Sequence, residues 1–191
     1  MYREDMSEVL KRMIEESAAG KDVFIVAIDG RCASGKTTLA EKLSQISDCN
    51  VIHTDDFYLQ MHQRTEKRYL EPGGNLDRER LLREILLPLR RGQEVIYRPF
   101  LCNAMSFGEE VILKRKKVCI IEGSYSCHPD LRELYDLTVF VTTDSETQKQ
   151  RILKRNGEGK MLTFISKWIP LEERYFEKFC VCGKADIIIK T

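Results

Sequence analysis

The chain has 191 residues, is 42% hydrophobic and 32% charged, and carries a formal net charge of +1. That length suits one domain able to bury a sizeable core, and the balanced charge argues against nucleic acid or an anionic membrane as a bulk electrostatic partner. No apolar run is long enough for a membrane span, the charged start Met1-Tyr2-Arg3-Glu4-Asp5-Met6 is unlike a secretory leader, and seven scattered cysteines suggest reduced thiols in the cytoplasm.

Val9, Leu10, Met13 and Ile14 recur at helical spacing and predict an amphipathic helix over about 7–19, stopped by Gly20. The apolar run Val23-Phe24-Ile25-Val26-Ala27-Ile28 reads as a buried strand. It leads into Gly30-Arg31-Cys32-Ala33-Ser34-Gly35-Lys36-Thr37-Thr38, which meets the phosphate-loop spacing G-x-x-x-x-G-K-S/T. A helical face of Leu39, Ala40, Leu43 and Ile46 follows. Glycines at these positions let successive N–H groups point into one concavity suited to anionic oxygens. The helix starting near Lys36 adds the positive end of its dipole. Lys36 can offer an ammonium to the outer phosphates, and the Thr37 hydroxyl suits Mg2+. Residues 30–38 are therefore expected to hold a nucleotide.

Val51-Ile52-His53 forms a short strand that delivers Asp55 and Asp56 to the edge where open parallel sheets bind ligands. The residues alone leave open whether these aspartates carry chemistry or cap a turn. Residues 60–74 are polar and irregular, and read as a mobile excursion over the site. Asp77 can cap a helix bearing Leu81, Leu82, Ile85, Leu86 and Leu89, stopped by Gly92, with a kink or early end expected at Pro88. Alternation over 94–98 and 110–113 predicts a small antiparallel ribbon, and Lys114-Arg115-Lys116-Lys117 a solvated loop.

Val118-Cys119-Ile120-Ile121 reads as a strand buried on both faces, ending at Glu122. Leu137 to Val141 repeats the pattern, and Thr143-Asp144-Ser145-Glu146 fits a capping box for a helix reaching Arg155. Gly157-Glu158-Gly159-Lys160 is expected to be flexible. A final helix over about 162–179 and a last strand over 185–189 complete the pattern. His53 and Trp168 read as packing residues, whereas His128, just beyond Glu122, is a candidate for lining the site. Five apolar strands alternating with helices predict an α/β three-layer sandwich: a five-stranded parallel sheet with helices on both faces, in one domain spanning 1–191.

The phosphate loop, Thr54-Asp55-Asp56-Phe57-Tyr58, Ile121-Glu122-Gly123, Tyr135-Asp136-Leu137, Arg151-Ile152-Leu153-Lys154-Arg155 and Ala185-Asp186-Ile187-Ile188 occur in an order that resembles the uridine kinase, nicotinamide riboside kinase and phosphoribulokinase superfamily. The resemblance implies an ATP- and Mg2+-dependent kinase acting on a hydroxyl of a small molecule. It implies Asp55 as general base, Asp56 in support, and Mg2+ held by Thr37 with Glu122 and Asp55 nearby. It also implies Arg151 and Arg155 on or beside a lid over about 154–163, with Lys160 in its flexible part.

Uridine kinases carry a Tyr-Asp pair in the ribbon and an Asp-His-Pro run before the long helix. The corresponding stretches here are Tyr97-Arg98-Pro99-Phe100-Leu101 and Glu71-Pro72-Gly73-Gly74. Kinase chemistry is expected, but uridine as acceptor does not follow. Tyr58, Glu71, Arg98, Phe100 and His128 join Asp56 as candidates for the acceptor pocket. A non-nucleoside metabolite kinase is the alternative. A guanine-nucleotide switch is disfavoured by the lack of an Asn-Lys-x-Asp motif, and a degenerate binding module by the intact Lys36, Thr37, Asp55 and Glu122.

Overall fold

The computed structural model describes residues 6–191, so the charged start at 1–5 lies outside the described residues. The strands are β1 (Phe24–Gly30), β2 (Cys49–His53), β3 (Val95–Tyr97), β4 (Phe100–Leu101), β5 (Ser106–Phe107), β6 (Val111–Leu113), β7 (Val118–Glu122), β8 (Leu137–Thr142) and β9 (Ile187–Lys190). Five of them form a parallel sheet in the order β2-β7-β1-β8-β9. The expected α/β architecture is present, and β3 pairs with β6 as the anticipated ribbon. A second two-stranded piece, β4 with β5, has no counterpart in the sequence reading. Two-residue strands carry no alternation to detect.

Strand periodicity explains the layers. In β1, Ile25 and Ala27 face one core while Phe24, Val26 and Ile28 face the other, because successive side chains point to opposite sides. Helices α1 (Met6–Ser17) and α2 (Lys36–Ile46) cover the second face with Leu10, Ile14, Ala40 and Leu43. The first face is covered by Leu81, Ile85, Leu86 and Leu89, and by Tyr175 and Phe176 of the helix Ile169–Phe179. No helix among the described residues is long and apolar enough to cross a membrane.

Pro88 does not end its helix. The segment runs helically over 78–90, with a widened π turn at Leu82–Leu86 immediately before the proline-bearing turn Leu87–Arg90. Widening the turn accommodates the missing N–H and the bulk of the ring. The same device recurs where a π turn at Phe164–Trp168 precedes Pro170. Residues 157–160 also depart from expectation, since a helix begins at Glu158 and continues to Thr163. The excursion over 60–74 is tied to the helix that follows it: Arg68 donates to the carbonyls of Gly74 and Leu76 at 2.9 and 2.8 Å and grips Glu79 with two 2.7 Å bonds.

Asp136 locks the sheet to its helical layer. Its carboxylate accepts from Lys21 Nζ at 2.7 Å, and from the Ile25 N–H and Arg90 at 2.8 Å each. Burial pushes this carboxyl up, but those three donors outweigh it and hold it below the usual carboxylate range. A depressed folded-state value means the contribution is present above the unfolded value near 3.8 and is lost as pH falls through the folded one. Asp136→Asn is therefore expected to destabilise the protein by about 1–3 kcal/mol at neutral pH and to lessen its acid sensitivity, both readable from urea melts between pH 3 and 7.

Candidate active site

The phosphate loop leaves β1 at its carboxyl end and enters α2 at Lys36. Ala33 at φ 57° and Gly35 at φ 96° put two positive-φ residues into the loop, a backbone feature of the turns that gather N–H groups into an anion-binding nest. The Ser34 hydroxyl is buried in this loop without a protein partner. Lys36 Nζ folds back to donate to the carbonyls of Gly30 and Arg31 at 2.8 and 2.9 Å. Arg31 is held away from the cavity by Glu173, with the Nε–Oε1 distance at 2.8 Å.

Parallel pairing places His53 directly opposite Glu122 at the carboxyl ends of β2 and β7. Their side chains meet at 2.5 Å between Nδ1 and Oε1, and this hydrogen bond raises the His53 pKa despite partial burial. Thr37 Oγ1 lies 3.3 and 3.4 Å from the two oxygens of Glu122. The approach of this edge is tight. A Cβ on Gly123, whose φ is +133°, would fall 2.0 Å from Thr54 Oγ1.

Asp55 lies in the 3-10 turn Thr54–Phe57 that follows β2, and accepts a 2.8 Å hydrogen bond from the Tyr58 hydroxyl. Burial, followed by the neighbouring Asp55 charge, pushes the Tyr58 phenol well above its ordinary range, so it stays a donor. Lys36, Thr37, Asp55, Tyr58, Glu122, Arg151 and Arg155 all line one cavity of about 920 Å³, with Cys32, Ala33, Ser34, Gly35 and Thr38 of the loop. Arg151 also donates to the Ala33 carbonyl at 3.3 Å and to Thr191 Oγ1 at 2.8 Å.

Other candidates lie elsewhere. Asp56 is outside the cavity lining and accepts from the Tyr97 hydroxyl at 3.1 Å; burial raises its pKa more than that bond lowers it. Glu71 pairs with Arg78 at 3.1 Å at a separate surface hollow. Arg98 is exposed and donates to the Gly108 carbonyl at 2.7 Å, while Phe100 is buried edge-on against Phe107. His128 is also turned from the cavity: it caps Pro129–Arg132 through Asp130 N and packs on Tyr175 and Phe179. Burial first, then the Arg78 charge, pushes its pKa down to about 4. Lys160 is exposed and does not line the cavity.

The sequence reading also missed contributors. Arg64, Tyr69, Asn75, Cys102, Tyr125, Phe164 and Glu172 line the cavity, and so does Trp168, which had read as a packing residue. They come from separate parts of the chain, and although Phe164, Trp168 and Glu172 recur at helical spacing, nothing local marks their face as the one that turns to the cavity. Among the described residues there is no cluster of three or more His, Cys, Asp or Glu poised for a metal. A hard cation here would draw its protein ligands from the Thr37–Glu122 pair, oxygen donors of the type Mg2+ takes. The loop's backbone nest, its unpartnered Ser34 hydroxyl and the carbonyl-bound Lys36 fit a nucleotide phosphate tail.

Residues 25–190 match the model of the phosphoribulokinase / uridine kinase family. The chain is 29% identical over 196 residues to uridine kinase-like protein 3 of Arabidopsis thaliana, covering 94% of this chain but 41% of that relative. It is 25% identical to uridine-cytidine kinase 2-B of Danio rerio, covering 97% of this chain and 79% of the other. Among solved structures, a possible uridine kinase from Bacillus stearothermophilus superposes with a TM-score of 0.72 at 23% identity, over 97% of each chain, a likeness of fold.

Proposed function

The chain belongs to the phosphoribulokinase / uridine kinase family, and from that premise we propose that it transfers the terminal phosphoryl group of ATP to a hydroxyl of a small metabolite, with a nucleoside as the leading acceptor class. The observation that carries this reading is the convergence of Lys36, Thr37, Glu122, Asp55, Arg151 and Arg155 on one cavity. Asp55 accepts the proton of the acceptor hydroxyl as its oxygen bonds to the γ-phosphorus and the bond to the β-phosphate oxygen breaks, releasing ADP. The Tyr58 hydroxyl holds the Asp55 carboxylate in place. Lys36 exchanges loop carbonyls for phosphate oxygens, and Arg151 and Arg155 offset their charge. Thr37 and Glu122 would hold Mg2+, which supplies neutralisation of the outer phosphates. Residues 154–163 serve as the lid of a single domain, excluding water as they close. The protein works in the cytoplasm on a small molecule, without nucleic acid or membrane.

A second reading, a kinase of a sugar, vitamin precursor or sugar phosphate, draws support from the acceptor side of the cavity. No carboxylate or imidazole from 97–101 or 71–74 reaches it; Arg64, Tyr69, Asn75 and Trp168 are there instead. An ADP-release assay across nucleosides, vitamin precursors, sugars and sugar phosphates decides between the two. Release stimulated by one nucleoside and abolished by EDTA is the expected result. Hydrolysis indifferent to every added hydroxyl compound would overturn the kinase reading.

A further inference from the structure

Glu172 is buried to 4% exposure, yet it has no cationic partner among the described residues. Its Oε2 accepts the Cys32 backbone N–H at 2.9 Å, and its Oε1 accepts from the Ser124 hydroxyl at 2.7 Å. The nearby cations are engaged elsewhere: Arg31 by Glu173, and Lys36 by the loop carbonyls. A carboxylate oxygen thus sits on a donor of the phosphate loop, in the same cavity as Lys36 and Asp55.

We propose that Glu172 is a latch on the phosphate loop, which an arriving nucleoside triphosphate must displace, moving the helix segment that carries Trp168. The inference rests on the nucleotide-binding part of the function proposed above. Carboxylate and phosphate oxygens are both anionic acceptors, so they compete for the Cys32 N–H and repel one another in a cavity where water screens poorly. Displacement has a path. Trp168 lies one helical turn before Glu172 and lines the cavity, and the π turn Phe164–Trp168 is an irregular stretch where a helix can absorb movement. While the latch is closed, apparent nucleotide affinity is reduced by the closed fraction.

A plain structural strut predicts the opposite sign, because removing it would loosen the loop and weaken binding. The test is calorimetric titration of the full chain and of Glu172→Gln with a non-hydrolysable ATP analogue and Mg2+, alongside emission from Trp168, the sole tryptophan. Gln keeps an acceptor for the Cys32 N–H and removes the charge. The expected result is binding about tenfold tighter in the variant, and a Trp168 emission change on saturation of the wild type. Should Glu172→Gln fail to fold, Ser124→Ala removes one of the latch's donors and is expected to tighten binding in the same direction. Equal or weaker binding by the folded variants, or unchanged Trp168 emission, removes the latch alone. No binding by any of the proteins removes the nucleotide-binding reading and the latch with it.

Discussion

Asp55→Asn is expected to slow phosphoryl transfer by roughly 10²–10⁴-fold while nucleotide affinity stays within about threefold of wild type. The reason lies in the division of the cavity. The phosphate loop and Lys36 line one end, and Asp55 enters from the turn after β2, where its carboxylate accepts from the Tyr58 hydroxyl. Asparagine keeps the shape and an acceptor oxygen for Tyr58 but cannot take a proton at neutral pH. The loss should therefore fall on kcat rather than on nucleotide binding. Single-turnover transfer with calorimetric nucleotide binding separates the two, and an unchanged kcat would remove Asp55 from the chemistry.

Gly30→Ala is expected to destabilise the whole sheet, by roughly 3–5 kcal/mol. A Cβ at this position would lie 1.9 Å from the Val141 carbonyl oxygen and 2.8 Å from both the carbon and the nitrogen of the same residue. Those are backbone atoms of β8, paired in register with the end of β1, so no side chain can swing aside. The φ of +136° adds strain for any residue with a Cβ. In a chain of this size the corresponding fall in Tm is roughly 6–20 °C. Gly20→Ala is the control, since it has φ +77° and open space around its Cβ. Comparable melting of the two variants would show that the contact with Val141 is not what matters.

Asp29 shows how far an apolar run followed by an acid can be read. Its position near the carboxyl end of β1 places it toward the ligand edge, like Glu122 at the end of β7. The structure instead buries it completely, where it accepts from the N–H groups of Gly30, Tyr125 and Cys127 and from the Tyr175 hydroxyl. It pins the loop after β7 and the helix Ile169–Phe179 to the base of the phosphate loop. Burial raises its pKa, opposed by those hydrogen bonds. An acid at a strand end is visible in one dimension; whether it faces a cavity or a set of backbone donors is set by segments about a hundred residues away.

The sequence alone determined the elements whose physics is local. Period-two and continuous apolar runs specify the five sheet strands, and the fixed glycine and lysine spacing marks the loop that joins β1 to α2. Asp77, capping through the Arg80 N–H, belongs to the same class. Tertiary structure alone decided which side chains share the cavity. It turned His128, Arg98 and Phe100 into packing or backbone contacts, brought Glu172 to the phosphate loop and placed Trp168 in the same cavity wall. The physical reason is that a helix or strand is encoded by neighbours a few residues apart, whereas a cavity wall is encoded by the packing of layers that the chain reaches only after many turns.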